Sequence, residues 1–433
     1  MKNVVKTGLL VILIGVLCIP MLQYYFPTIS MKPLEGSYEK KSLESFSWKG
    51  WFEGTFQSNF DDWYNENFGF RNFFVRLHNQ LNYSVFTQTN SHKIVIGKNG
   101  YLYEEEYIKS YFGQNFQGIN NINETVNTIS ATAEYLKEHN TQFLIVIAPG
   151  KGYFYPEYIP NYLITKKDST NYDVFLAAIK SSGIPCLDFN RVFLNRKDTA
   201  SFVLYPKTGI HWSQASIPFV LDSLNKFVEA LTKIDMYGMK YSYPEPTPFP
   251  DRQDTDIERS MNLLFPLENE LFVYPNYVWE PQSNKRKPKA IFIGDSFFWQ
   301  IYNLGTNKRF YDDAEFWYYF KQAHAEKYST PTEVKDLDIL NKLIDSDIVV
   351  LFTSEANLHI FPFGFESVYG NFNLKDRLIE EKTQKLIRYI RTDKNWFHHI
   401  EEKAKRKQIS IDSMLYLDAK SSITESMKKN RGN

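Results

Sequence analysis

Ile291-Phe292-Ile293-Gly294-Asp295-Ser296-Phe297-Phe298-Trp299 is the stretch whose reading decides the fold. Its first three residues predict a buried strand, because β-branched and aromatic side chains pack well on a pleated surface. Gly294 ends the strand, and Phe298, Ile301 and Tyr302 resume at helical spacing. A serine on a tight turn between strand and helix holds its hydroxyl clear of the backbone. Free N–H groups at the helix start there can face a developing oxyanion. Ser296 is thus a candidate nucleophile. Asp295 and Ser296 also read as plain helix caps, and the tripeptide alone does not separate the two.

Working outward, 433 residues give ample length for one large domain with appendages or for two domains. Lysine plus arginine and aspartate plus glutamate both total 50, so no basic footprint for nucleic acid is present and no such partner is expected. The 17% aromatic content fits a large core or flat faces for stacking on sugars. The two cysteines are Cys18 and Cys186. The first falls in an apolar run, so no intramolecular disulfide is expected.

That run extends from Gly8 to Phe26, behind Lys2 and Lys6. It is long enough to cross a bilayer as a helix of roughly 20 residues. Preceding lysines and trailing aromatics suit an N-in orientation. No small-residue cleavage site follows the run, and Leu17 stands where a lipoprotein signal has a small residue before its cysteine. The expectation is an uncleaved signal anchor: one pass through the cytoplasmic (inner) membrane, with the main domain extracytoplasmic, or periplasmic.

Residues 31–50 read as a linker, and an aromatic-rich helical segment with Arg71 follows. Asn99-Gly100 between apolar runs signals a hairpin over 93–103. A helix near 123–138 leads to Gln142–Ala148, a continuous apolar run predicting a strand buried on both faces. Lys151 follows, in the loop beyond that strand's carboxyl end where open α/β sheets place ligands; a solvated loop lysine is the other reading. A helix near 171–181 and a strand at 184–189 come next. His211-Trp212 then stands in a loop feeding a helix, with Ser213 or Ser216 as cap. Histidine alone has an unperturbed pKa near neutrality, as a base for a serine requires, and Trp212 can exclude water beside it.

Gly294-Asp295-Ser296-Phe297, preceded in the chain by His211-Trp212, resembles the SGNH hydrolase-like domain of the alginate O-acetyltransferase family (AlgJ/AlgX-type), where a D-x-H-W motif precedes the serine. Glu66–Arg71, Ile96–Tyr103, Phe143–Pro160 and Ile348–Leu358 are similar to further segments of that family in the same order, so the resemblance spans roughly 50–360. It implies a three-layer α/β/α fold with a mainly parallel sheet and a catalytic pair of Ser296 and His211. It further implies acetyl transfer to a cell-surface or secreted polysaccharide, with a membrane-bound acyltransferase supplying acetyl groups. Tyr302 would border the site by the same resemblance, or simply pack in its helix. The family's aspartate, two positions before the histidine, is Gly209 here. Either another acid such as Asp188 or Glu355 orients the imidazole, or a Ser-His dyad suffices, or the site is degenerate. A carbohydrate acetyl esterase and an inactive polysaccharide-binding protein are the alternative functions.

The proline- and charge-rich stretch 241–289 reads as a long loop, a lid or surface decoration. Asp347–Phe352 predicts another buried strand with Glu355 beyond its end, as the missing acid or in a structural pairing. A helical tail ends in a frayed stretch over 428–433. No metal-ligand cluster or phosphate loop is present, so no cofactor is expected. The expected organisation is an anchor (1–30), a linker with a helical segment (31–92), the SGNH hydrolase-like domain (93–365) and a C-terminal helical extension (366–433).

Overall fold

The computed structural model describes residues 2–36, 41–279 and 284–430. The anchor run forms α1 (Lys2–Tyr25), followed by α2 (Trp48–Glu53), α3 (Thr55–Asn67) and α4 (Arg71–Phe86). The hairpin signalled by Asn99-Gly100 is β1 (Ile94–Ile96) with β2 (Leu102–Glu104). Next come α5 (Glu105–Phe112), α6 (Ile119–Glu138), β3 (Gln142–Ala148), α7 (Lys151–Phe154), α8 (Asn171–Ser182), β4 (Cys186–Asp188), α9 (Phe189–Arg196) and α10 (Ile217–Thr232). The stretch read as a long loop contains β5 (Lys240–Ser242), α11 (Asp256–Ser260) and β6 (Asn276–Val278). The deciding stretch is β7 (Ala290–Gly294) and α12 (Phe297–Tyr302). The chain continues through α13 (Thr306–Arg309), β8 (Glu315–Tyr318), β9 (Gln322–His324), β10 (Thr332–Glu333), α14 (Ile339–Ile344) and β11 (Ile348–Ser354). It closes with α15 (Ser367–Asn371), α16 (Leu374–Thr392), α17 (Lys394–Lys407) and α18 (Ile411–Asn430).

Among the described residues, seven strands form the central sheet in the order β10-β9-β8-β7-β11-β3-β4. From β8 to β4 all neighbours are parallel, and β9 and β10 add an antiparallel edge. Strands buried on both faces need helices on both, and the alternation of side chains divides the core accordingly. Leu144, Phe292, Val350 and Phe352 point to one side, packed with residues of α9, α10 and α12. Phe143, Ile291, Val349 and Leu351 point to the other, with α6, α8 and α14. The fold is therefore a three-layer α/β/α sandwich. The final helices enclose a small cluster of their own around Ile390, Ile400 and Leu415.

Some expectations need correction. The stretch read as a linker is tied down where described: Glu35 pairs with Arg259 at 2.6 Å and with Arg252 at 3.0 Å. Neither Ser213 nor Ser216 caps α10 with its side chain. Their hydroxyls donate instead to the carbonyls of Val203 and Leu204. The Gln214 N–H at the start of that helical segment donates to Asp254, 3.1 Å away. Residues 431–433 and the side chains of 428–430, where the frayed end was expected, lie outside the described residues.

Candidate active site

The parallel register fixes the serine. Phe352 pairs with Gly294, Ser354 is the last residue of β11 and Asn357 follows just past it, level with the turn that carries Asp295 and Ser296. Asp295 is fully buried, and its carboxylate accepts three N–H donors. These are Phe297 N at 3.1 Å, Ser354 N at 2.7 Å and Asn357 Nδ2 at 2.8 Å. A buried carboxylate so satisfied clamps the turn to the neighbouring strand end. Asp295 is thus a structural brace and not the partner of the histidine.

The histidine comes from irregular chain. His211 Nε2 lies 3.0 Å from Ser296 Oγ, within the reach a general base requires. Its Nδ1 lies 2.6 Å from Oδ2 of Asp256, a residue the sequence reading did not single out. The other oxygen of Asp256 accepts the Ile210 N–H at 2.7 Å and the Ile257 N–H at 2.9 Å. One carboxylate therefore holds both the imidazole and the backbone beside it, which fixes the tautomer with the proton on Nδ1. Burial disfavours the charged imidazole. The charge and hydrogen bond of Asp256, with smaller help from Asp295 and Glu104, outweigh that and raise its pKa above the ordinary 6.5. Glu104, at the end of β2, is itself raised by burial.

Gly209 explains why the acid comes from elsewhere. A Cβ at this position would stand 2.6 Å from the carbonyl oxygen of Asp254 and 3.2 Å from Pro206 Cβ. The segment that delivers Asp256 occupies the space a side chain at 209 would need. The two segments are joined along their length. Glu258 N donates to Thr208 O at 3.1 Å, Thr208 Oγ1 to Asn269 at 2.7 Å, and Lys207 N to Glu270 at 2.7 Å. The stretch read as a lid or decoration thus completes the site. Its sole advance signal is a run of acids, Asp251, Asp254, Asp256 and Glu258, in an otherwise proline-rich loop.

The other residues singled out by sequence fall in different places. Asp188 accepts from Tyr172 Oη at 2.8 Å and from Arg191 N at 3.2 Å, so it serves its own helix start. Glu355 accepts from the Ser110 hydroxyl, and burial pushes its carboxyl up to about 8. Neither acid meets the imidazole. Trp212 is buried in the core among Phe189, Phe193, Phe297 and Phe352, so it anchors the loop. The ring lying against the imidazole is Phe297, at 4.7 Å. Tyr302 packs on Phe298 and Trp299 of its own helix and on Phe316 of β8.

Lys151 is fully buried and not a solvated loop residue. Its Nζ donates to the carbonyls of Lys207 at 2.9 Å and Gly209 at 2.5 Å, below the loop that presents His211. Burial pushes its pKa down to about 7, against the opposing charges of Asp256 and Glu270.

Residues 94–254 match the family described as "SGNH hydrolase-like domain, acetyltransferase AlgX". The match covers β1 through His211 and stops two residues short of Asp256. A probable alginate O-acetylase AlgJ of Pseudomonas aeruginosa is 23% identical over 183 residues, 42% of this chain and 44% of the relative. The chain therefore spans under half the length of that curated relative. The O-acetyltransferase domain of Pseudomonas putida AlgJ aligns at 16% identity and a TM-score of 0.41, over 62% of this chain and 92% of that one. Bacillus cereus PatB1 with a sulfonyl adduct aligns at 11% identity and a TM-score of 0.39, over 61% and 95%. Residues 94–254 are thus similar to an SGNH hydrolase-like domain of the AlgX acetyltransferase type.

Proposed function

We propose that this chain is a membrane-anchored O-acetyltransferase that modifies hydroxyls of a cell-surface or secreted polysaccharide through an acetyl-serine intermediate. One observation carries the reading: an unbroken relay from Ser296 Oγ through His211 to Asp256. In the first half-reaction Ser296 Oγ attacks the acyl carbonyl of the donor while His211 Nε2 takes the hydroxyl proton. The carbonyl oxygen becomes an oxyanion facing the Ser296 N–H, which has no protein partner among the described residues. Collapse expels the donor's leaving group, which receives the proton from His211. In the second, a sugar hydroxyl gives its proton to His211 and attacks the acetyl-serine, releasing the acetylated sugar and restoring Ser296. Asp256 stabilises the imidazolium formed in each half.

The match to an AlgX-type acetyltransferase domain and the AlgJ relative support the acetyl group and the polysaccharide acceptor. Val4–Tyr25 is long and apolar enough to cross a membrane, which supports a single-pass anchor in the cytoplasmic membrane with the domain outside the cytoplasm. A membrane-bound acyltransferase is the proposed source of acetyl groups. The degenerate-site alternative drew on the glycine at 209, and Asp256 supplies the carboxylate that position lacks. Hydrolysis and transfer share the same acyl-enzyme. Purified protein given an acetyl ester should acetylate an added oligosaccharide faster than it releases acetate, and Ser296→Ala should lose about 10⁴-fold or more of both rates. Acetate release that no acceptor diverts would make it an esterase, and turnover surviving Ser296→Ala would refute the mechanism.

A further inference from the structure

Helices α2, α3 and α4 contain no buried residue, yet they are dense in large apolar side chains. Phe52 is 82% exposed and Trp48 69%. Phe56, Phe60 and Tyr64 of α3 recur every fourth residue and so share one face, and Phe68 follows at the helix end. Their rings form a continuous ladder, with neighbouring centroids at 6.3, 6.3 and 5.9 Å, and Phe68 passes it to Phe74 of α4 at 6.2 Å. Phe46 meets Phe56 edge-on at 5.2 Å, and Leu43 and the end of α1 border Phe60, Tyr64 and Phe68, yet Phe60 and Tyr64 stay exposed. Lys49, Arg71 and Arg76 nearly balance Glu53, Asp61, Asp62 and Glu66 over 48–86, so it is an apolar surface without a strong charge.

The end of α1 fixes where this face lies. Gly69, between α3 and α4, is pressed onto the last turns of α1: a Cβ there would stand 2.1 Å from the Pro20 carbonyl oxygen and 2.9 Å from the Tyr24 nitrogen. Tyr24 also meets Trp63 edge-on at 5.8 Å. Val4–Tyr25 rises about 33 Å at 1.5 Å per residue, roughly the thickness of the hydrocarbon core. Pro20 to Tyr25 then emerge at the membrane–water boundary, and the aromatic ladder beside them lies at the same depth.

We infer that α2 to α4 form a collar whose aromatic face inserts into the headgroup–acyl boundary of the bilayer that α1 crosses. Its occupant is the lipid surface itself, where aromatic rings are favoured. The inference rests on the anchor reading of α1 and adds a second contact with the membrane. It also bears on the site. Asn79 of α4 donates to the Met261 carbonyl at 2.8 Å, and Tyr83 packs with Ile257 and Met261 next to Asp256. A seated collar sets the height and tilt of the triad above the membrane.

The test uses the full chain reconstituted in phosphatidylcholine bilayers, with or without bromine on the upper acyl carbons. The apolar helix α1 contains no tryptophan. The emission lost in Trp48→Phe/Trp51→Phe, a conservative pair, therefore reports on the collar alone. Brominated lipid should remove about half or more of that emission at low and high salt alike, as apolar insertion requires. A Phe52→Ser/Phe60→Ser variant with its tryptophans intact should lose about half of the quenching. Chain that resists carbonate extraction but shows equal Trp48 and Trp51 emission in both lipids would overturn the collar and leave the anchor standing. Such a result would hold equally if an integral membrane protein were the true occupant. Chain released by carbonate would overturn both.

Discussion

Ser296 stands at the end of a strand hydrogen-bonded on both sides, whereas His211 stands on irregular chain and Asp256 opens the short helix α11, the two segments joined largely by bonds that involve side chains. The nucleophile inherits its position from the sheet: β7 lies between β8 and β11, and the Asp295 carboxylate locks the turn to the end of β11. The base itself stands on neither helix nor strand. Its position is the resultant of Asp256 from one side, Lys151 from below and the Trp212 anchor in the core. The difference teaches where the site is vulnerable. A strand end shared by several hydrogen bonds tolerates the loss of one, while a loop held by a few buried polar groups shifts when any is removed.

The largest effect expected from that contrast is at Asp256. Asp256→Asn keeps the shape but removes the charge that holds the Nδ1 proton in place, so kcat should fall about 10²- to 10⁴-fold. Neutral imidazole is the active base, so kcat/KM rises with pH through the pKa of His211. That pKa is raised by Asp256, and the rising limb should move to lower pH in the variant. A pH–rate profile on an acetyl ester checks both, and an unchanged limb would mean that Asp256 does not orient the base.

Next comes Gly209→Asp, which places a carboxylate where the family pattern expects one. With 2.6 Å to the Asp254 carbonyl there is no room, so the variant should lose about 1–3 kcal/mol of stability. It should also fail to rescue Asp256→Asn. Thermal unfolding reads the first outcome and the double variant's kcat the second; rescue would show that the histidine loop can shift to accept the usual arrangement.

The smallest effect concerns Lys151. Between pH 7 and 10.5 the unfolded chain holds a proton on this lysine that the folded chain has released. Folded stability should therefore rise with pH across that window and level off below it, where both states are protonated. Lys151→Met should flatten the rise in denaturant midpoints compared at about pH 7 and pH 9, and lower kcat by about 10-fold or less through a looser His211 loop. An unaltered slope would place the pH dependence elsewhere.

Much of this was legible in residues alone. Local chemistry determined the apolar strands β3, β7 and β11, the Asn99-Gly100 hairpin, the apolar run of α1 and the Gly-Asp-Ser turn, because hydrophobic period and turn residues act over a few positions. The pairing of Ser296 with His211 was accessible through motif order, although 85 residues separate them. Asp256 was not, and nor was the burial of Lys151. An acid in a charged, proline-rich stretch looks like any solvated loop residue, and a lysine after a strand looks exposed. Only tertiary structure decided these roles, because a carboxylate's function depends on which chain passes beside it, and the 250–270 segment lies against 204–211 through contacts that no local pattern encodes. Gly209 expresses the point from the other side: the sequence shows that a carboxylate is missing there, and the fold shows that its space is already filled by the chain that supplies one.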